Sequence, residues 1–426
     1  MFFFIAFNII LLLMMVLIYL VTKKIFNPVI IINSIFLVWL IIGRSGFAGL
    51  YTPSFDSSLF IQINILIIDI GVIIGLGMHM QTFTFPMLPF NSERIFFWLR
   101  RVALGISLLC FANLMINIIT GRLLISNVRN ISYSVAFGTM DYAQIYLNSV
   151  IYYVYQYLVR GFAFFDLSYG IAKLLVKKEK ISFIAVSNYV LFIIIMQSRI
   201  EFMKMVLFIL IFVLFHKIKL SKEQKKIIKK VVLIVGIAVL IIFSFRSSKS
   251  EQGVIKHTVD SFIIDFSGSN FTFSTFFDQY NQGDNLNDSP LILKYLGGVG
   301  LLIEFILRPI GVKFDHSSVN NYLGVGHNIG SSNHYNAFYT IYFEFLNSGG
   351  YLGCFIFSIL IGIIIGYTYK KMRNQPTVKN IYIASFCTYI MAMGTYNYVI
   401  SGIYALMIIC CIYLSGDCKN ENKKYK

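Results

Sequence analysis

Long apolar stretches recur from one end of the chain to the other, starting with FFFIAFNIILLLMMVLIYLVT at residues 2–22. Each approaches the ~20 residues that cross a bilayer as a helix, and a soluble core of this size has no room to bury them all. Composition agrees. Of 426 residues, 57% are hydrophobic and only 13% charged, against about 25% charged in soluble domains. The first stretch lacks a basic leader and a small-residue cleavage motif, so it reads as a transmembrane helix rather than a signal peptide. Backbone polar groups in hydrocarbon must be satisfied within their own segment. The expected fold is therefore an all-α polytopic membrane protein.

Eleven spans are expected, at 2–22, 26–43, 59–80, 95–119, 150–176, 181–197, 200–216, 231–245, 350–368, 380–397 and 399–415. The fifth contains Arg160 and Asp166, so its outer part is expected along the interface. This divides the chain into an N-terminal bundle of about eight spans (1–245), a large loop (246–349), C-terminal spans (350–415) and a basic tail (416–426). Within the loop, VIKHTVDSFIIDF (254–266) and LILKYLGGVGLLIEFILRPIG (291–311) read as amphipathic or re-entrant helices. Pro309 ends the second, and NQGDNLNDSP (281–290) is a turn region. Gly349–Gly350 is expected to open the next span.

The net charge of +17 is a topology signal rather than a nucleic-acid footprint. The segments at Lys23–Lys24, Glu93–Arg101, Lys173–Lys180, Lys217–Lys230, Lys370–Lys379 and the tail hold 24 of the 36 Lys and Arg and five acids. All fall on one side if the N-terminus is outside and the C-terminus in the cytoplasm. The same division sorts lysine from arginine. Twenty of 25 lysines are on the inner side, but only four of 11 arginines. Arg44, Arg122, Arg129, Arg160, Arg199, Arg246 and Arg308 are left on the outer side. Arginine binds phosphate bidentately where water is partly excluded. The alternative for each is an ion pair or snorkelling.

Three of these arginines mark span ends: Arg199 in MQSRIEF, Arg246 in IIFSFRSS, and Arg308 before Pro309. At one depth they would clamp a lipid diphosphate. Glu201, two residues after Arg199, is expected on a different helix face. His334, with Asn336 nearby, precedes a membrane helix and is a candidate base or sugar contact. Glu304 lies in an apolar run suited to proton abstraction, with an Arg308 pair as the alternative. Glu344 is similar, and Tyr339 belongs to a tyrosine row in which most rings are expected as interface belt and packing and a minority could stack sugars. Asp69, inside the third span, is either functional or a helix–helix hydrogen bond near Gly71 and Gly75. The histidines lack paired ligand spacing, no nucleotide-binding motif is present, and no cysteine lies in an outer hydrophilic loop. No metal, cofactor or disulfide framework is expected.

FNPVIIINSIFLVWLIIGRSGFAGLYTPS (26–54), MQSRIEF and HYNAFYTIYFEFLNSGGYLG, with the large outer loop in the second half, resemble the Wzy-type O-antigen and capsule polymerases. The last stretch is also similar to O-antigen ligases. The resemblance implies a GT-C-like, metal-independent glycosyltransferase of the bacterial inner membrane. Its donor and acceptor would both be glycans on undecaprenyl diphosphate, set in membrane lipid, with a chain-length regulator and a flippase as partners. It implies arginine at the leaving group, which Arg199, Arg246 and Arg308 fit, and does not identify the base, for which His334 and Glu304 are the candidates. Substrate binding would fall to Arg44, Arg129, Asn336, Tyr339 and Glu344. A ligase and, in a different class, a lipid-linked oligosaccharide flippase are the alternatives. The absence of an internal repeat weighs against the flippase.

Overall fold

The computed structural model describes residues 2–79, 92–128, 131–132, 142–216, 221–247, 254–283, 298–311, 322, 326–330, 334–335, 339–397, 399–402 and 404–415. The helices are α1 (Phe2–Thr22), α2 (Pro28–Arg44), α3 (Phe55–Gly77), α4 (Ser92–Ile119), α5 (Arg160–Lys177), α6 (Phe183–Met196), α7 (Arg199–His216), α8 (Lys222–Ser247), α9 (Val254–Asn281), α10 (Gly298–Leu307), α11 (Ile341–Asn374), α12 (Val378–Ala392) and α13 (Tyr404–Leu414). A short helix Ser149–Val154 and a π-turn Tyr155–Val159 lead directly into α5. Strands β1 (His327–Asn328) and β2 (His334–Tyr335) pair antiparallel.

Each of the eleven segments expected to span overlaps a helix. Among the described residues, four helices are long and apolar enough to cross a membrane: α1, α3, α4 from Glu93, and α11. The chain is an all-α membrane protein. α1 shows the solvent it is built for. It buries only Leu11, Ile18 and Thr22, one seam, while Leu12, Leu13, Val16, Leu20 and Val21 are all more than 44% exposed. A continuous apolar face of that size is matched by lipid, not water. α7 misses the same standard because Arg199, Glu201 and Lys204 crowd its start.

The chain forms two compact units. One comprises 1–80, 252–376 and 384–402, and the other 81–251, 377–383 and 403–426. α12 therefore begins in the second and ends in the first.

In the first unit, local signals fix the helix starts. Asn27 accepts from the Ile30 amide ahead of Pro28, and Ser54 accepts from the Ser57 amide. α3 and α11 meet through glycine. Gly71 and Gly75 face Gly362 and Gly366, and a Cβ on any of them would overlap a carbonyl oxygen of the facing helix. This is the small-xxx-small packing of membrane helices. Asn64 accepts from Ser358 (3.0 Å) and Cys354 (3.3 Å) across the same interface. Asp69 is fully buried and accepts from Asn33 Nδ2 at 2.8 Å. The helix–helix hydrogen bond is thus what its position supplies.

α11 is two helical stretches, 341–349 and the span that follows, with the helical backbone broken at Gly350 (φ 62°, ψ −164°), so the glycine pair opens the span as expected. Only glycine adopts that backbone without strain. One expectation differs from the structure. α9 runs on to Asn281 rather than stopping near Phe266. Its weak helix formers return their hydroxyls to their own helix: Ser269 to Phe266 O (2.8 Å), Thr272 to Ser269 O (3.0 Å) and Thr275 to Phe271 O (3.2 Å). α10 ends at Leu307, with Pro309 in the 3₁₀ turn that follows.

In the second unit, Asp166 of α5 takes a bidentate pair from Arg100 of α4, with contacts of 2.7–2.9 Å. Gln224 donates to the Leu174 and Leu175 carbonyls at the end of α5. At the opposite end of α5, Gly161 lies against the Tyr404 carbonyl, with no space for a side chain.

Candidate functional site

The second unit holds a buried ionic cluster at the start of α7. Arg160 opens α5 directly after the π-turn. Glu201 and Lys204 stand three apart on α7, hence on one face. The Glu201 carboxylate accepts from Arg160 Nη2 and from Lys204 Nζ, both at 2.9 Å. Tyr189 of α6 donates its hydroxyl to the Glu201 carbonyl at 2.7 Å. Arg160 Nη1 donates to Gln156 within the π-turn at 3.2 Å. Tyr404 opens α13, and its ring packs under the Arg160 guanidinium, 4.3 Å away. Lys204 Nζ donates to the Tyr404 hydroxyl at 3.4 Å.

The charge balance of this cluster is its chief property. Lys204 and Glu201 side chains are 3% and 4% exposed and Arg160 21%. Among the described residues two cations share one carboxylate, which makes the cluster net positive inside apolar helices. Buried charge unmatched by a partner costs several kcal/mol, and such groups within a membrane mark sites of function. Local backbone departures surround it. The π-turn precedes Arg160, and Gln197, two residues before α7, holds φ at 44°. Both features are costly for ordinary residues and gather at functional positions.

The expected site residues are distributed as follows. Arg199 opens α7 and Arg246 lies one residue from the end of α8, with their side chains outside the described residues. Arg129 and Asn336 also lie outside the described residues, as does the side chain of His334 on β2. These fall in two different units: Arg129, Arg199 and Arg246 in the second, and Arg44, Glu304, Arg308, His334, Asn336, Tyr339 and Glu344 in the first.

Arg44 closes α2. It donates to the carbonyls of Pro53 (3.0 Å) and Ser54 (3.4 Å) and lies 3.7 Å above the Phe55 ring, which pins the α2–α3 connection. Glu304 is buried on α10, while Arg308 in the following turn is exposed. Tyr339 is buried, stacked on Phe343 at 4.4 Å and near Tyr322 and His327. Burial pushes the Tyr322 hydroxyl up to about 12, opposed by its hydrogen bond with Tyr339. Glu344 is half-buried in the first turn of α11.

Glu201 is the residue that sequence reasoning undervalued. It anchors the cluster, with Arg160 and Lys204 as its partners. The available signal was Lys204 itself, a lysine more than one turn inside an apolar segment with an acid three residues earlier. An intramembrane charge demands a partner.

The fold and this cluster define a helical membrane protein with a buried, net-cationic polar site. The chain matches no protein-family model, no curated protein and no solved structure.

Proposed function

We propose that the chain is a membrane glycosyltransferase that polymerises lipid-diphosphate-linked oligosaccharide repeat units on the outer face of a bacterial cytoplasmic membrane. The observation that carries the reading is the cationic cluster of Arg160, Glu201 and Lys204 beside Arg199, on the side where arginine is enriched and lysine scarce. An acceptor sugar hydroxyl loses its proton to a base and attacks the donor anomeric carbon. The anomeric C–O bond breaks and lipid diphosphate leaves with the bonding pair. Fixed cations aimed at that developing charge stabilise the transition state, typically by roughly 10²–10³-fold in rate per donor group. Arg199 is the leading leaving-group residue, with Arg246 as a further contact and Arg129 as a candidate sugar contact in the same unit. The motif shared with O-antigen ligases keeps transfer to a different acceptor as the second reading.

The test is the length of the surface glycan in a strain carrying only a variant gene. Arg199→Ala is expected to leave single-repeat glycan while the protein inserts normally, and Arg199→Lys to shorten chains less severely, since lysine keeps the charge but not the bidentate fork. Normal long chains in Arg199→Ala would remove the leaving-group role. Long glycan that is made but unattached would favour the ligase.

The topology in this reading is eleven spans with the N-terminus outside. In a cysteine-free background, single cysteines at Asn285 and Ser317 should react with an impermeant thiol reagent on intact cells. One at Ser221 should react only after the membrane is opened. Labelling of Ser221→Cys from outside would overturn the orientation and the assigned face of the site.

A further inference from the structure

A second cationic site lies in the first unit, where α1, α3 and α11 end together. A cavity of about 190 Å³ is lined there by Val21 and Thr22 of α1, Leu76 of α3, and Lys370, Arg373 and Asn374 of α11. Lys370 Nζ donates to the Met78 carbonyl at 2.8 Å, which fixes its ammonium at the cavity and leaves further N–H groups to donate. Arg373 is exposed. Among the described residues neither cation makes an ion pair. Lys23, Lys24 and Lys371 follow or flank the same helix ends, and residues 20–30, 70–79 and 365–376 contain no Asp or Glu.

We propose that this cleft binds the phosphodiester headgroup of an anionic phospholipid. Two features separate it from lysines that merely anchor helix ends. The cations are concentrated on one concave surface rather than spread along an interface. Val21 and Leu76 add apolar surface beside them, next to exposed apolar residues: Val21 is 60% exposed, Leu20 52% and Met78 44%. Arg373 supplies the planar fork that phosphate takes bidentately, and Lys370 a point charge beside it. Val21 and Leu76 offer nothing to inorganic phosphate but accept the glycerol and upper acyl chain of a lipid. Basic pockets between helix ends at the membrane surface recognise headgroups in this way. The site shares no residue with the cluster in the second unit and does not depend on the proposed polymerase activity.

The experiment uses the full chain, purified in detergent and stripped of lipid, with bound lipid counted by native mass spectrometry and stability followed by thermal unfolding. The probes are phosphatidylglycerol, phosphatidylcholine and inorganic phosphate. Wild-type protein is expected to retain phosphatidylglycerol in preference to phosphatidylcholine and to melt higher in its presence. Arg373→Glu, at an exposed position that leaves the fold alone, should weaken phosphatidylglycerol roughly fivefold or more, and Lys370→Glu/Arg373→Glu roughly thirtyfold or more. Lys225→Glu, an exposed change in the other unit, should have no effect. Equal retention of the two lipids, or unchanged binding in both charge-reversed variants, would overturn the site. Inorganic phosphate binding as tightly as phosphatidylglycerol would overturn the lipid as its ligand.

Discussion

Lys204→Met is expected to raise the thermal stability of the protein while shortening or abolishing its polymeric product. The cluster holds two cations, Arg160 and Lys204, against the single carboxylate of Glu201. Removing the buried ammonium turns an excess of one charge into a matched Arg160–Glu201 pair. Methionine fills the volume, and replacing buried ions by apolar groups of similar size is often stabilising, by about 1–4 kcal/mol. Glu201→Ala acts in the opposite direction. It leaves two buried cations with no counter-charge and is expected to cost about 3–5 kcal/mol, a large share of the roughly 5–15 kcal/mol that holds an ordinary protein folded. Glu201→Gln keeps an acceptor and should fall between them. Melting curves of the purified variants give this order directly, with glycan length read in parallel. A protein that keeps a destabilising charge where a neutral residue would be more stable is keeping it for binding or chemistry. Lys204→Met that is both more stable and fully active would show the excess charge to be without function. Lys204→Met less stable than Glu201→Ala would show the charge balance itself to be misread.

The sequence and the structure part company in a consistent way. Helix positions were legible because apolar runs near twenty residues admit little else, and the starts at Pro28 and Phe55 carry ordinary capping residues in front of them. The bond from Asn33 to Asp69 was legible as a type, since an intramembrane carboxylate must find a donor, though not its partner on α2. Partner identity is set by which helix faces meet, and 36 residues separate that pair. The same limit hid the main cluster. Arg160, Glu201 and Tyr404 are joined across more than 200 positions, and only the local Glu201–Lys204 spacing was visible beforehand. The glycine pair Gly349–Gly350 was legible too: the helical backbone breaks at Gly350, where a Cβ would approach the Tyr280 hydroxyl at 3.1 Å, and the expected span follows.

The glycines between α3 and α11 lead to the other large effect. Gly362→Leu is expected to abolish accumulation of folded protein. Gly362→Ala should cost roughly 1–3 kcal/mol, the usual range for forcing atoms into a packed interior. The reason is the nature of the neighbours. A Cβ at Gly362 would overlap the Ile68 carbonyl oxygen and crowd the Gly71 Cα, at 2.9 Å. Both belong to a helix backbone, so no side chain can rotate away and the helices must separate. Separation also loses the hydrogen bonds from Ser358 and Cys354 to Asn64, which only this close approach permits. Gly71→Ala should cost about as much, since its Cβ meets Ile359 O and the Gly362 Cα. The double variant should cost less than the two singles added, because one displacement of the helices relieves both clashes. Gly105 of α4 is the control. A Cβ there meets nothing within 4 Å, so Gly105→Ala gains helix propensity, up to about 1 kcal/mol, without a clash. Thermal unfolding of the four variants in one detergent separates these cases. If Gly362→Ala melts with the wild type, the two helices do not approach as closely as their backbones indicate, and the glycine spacing is incidental.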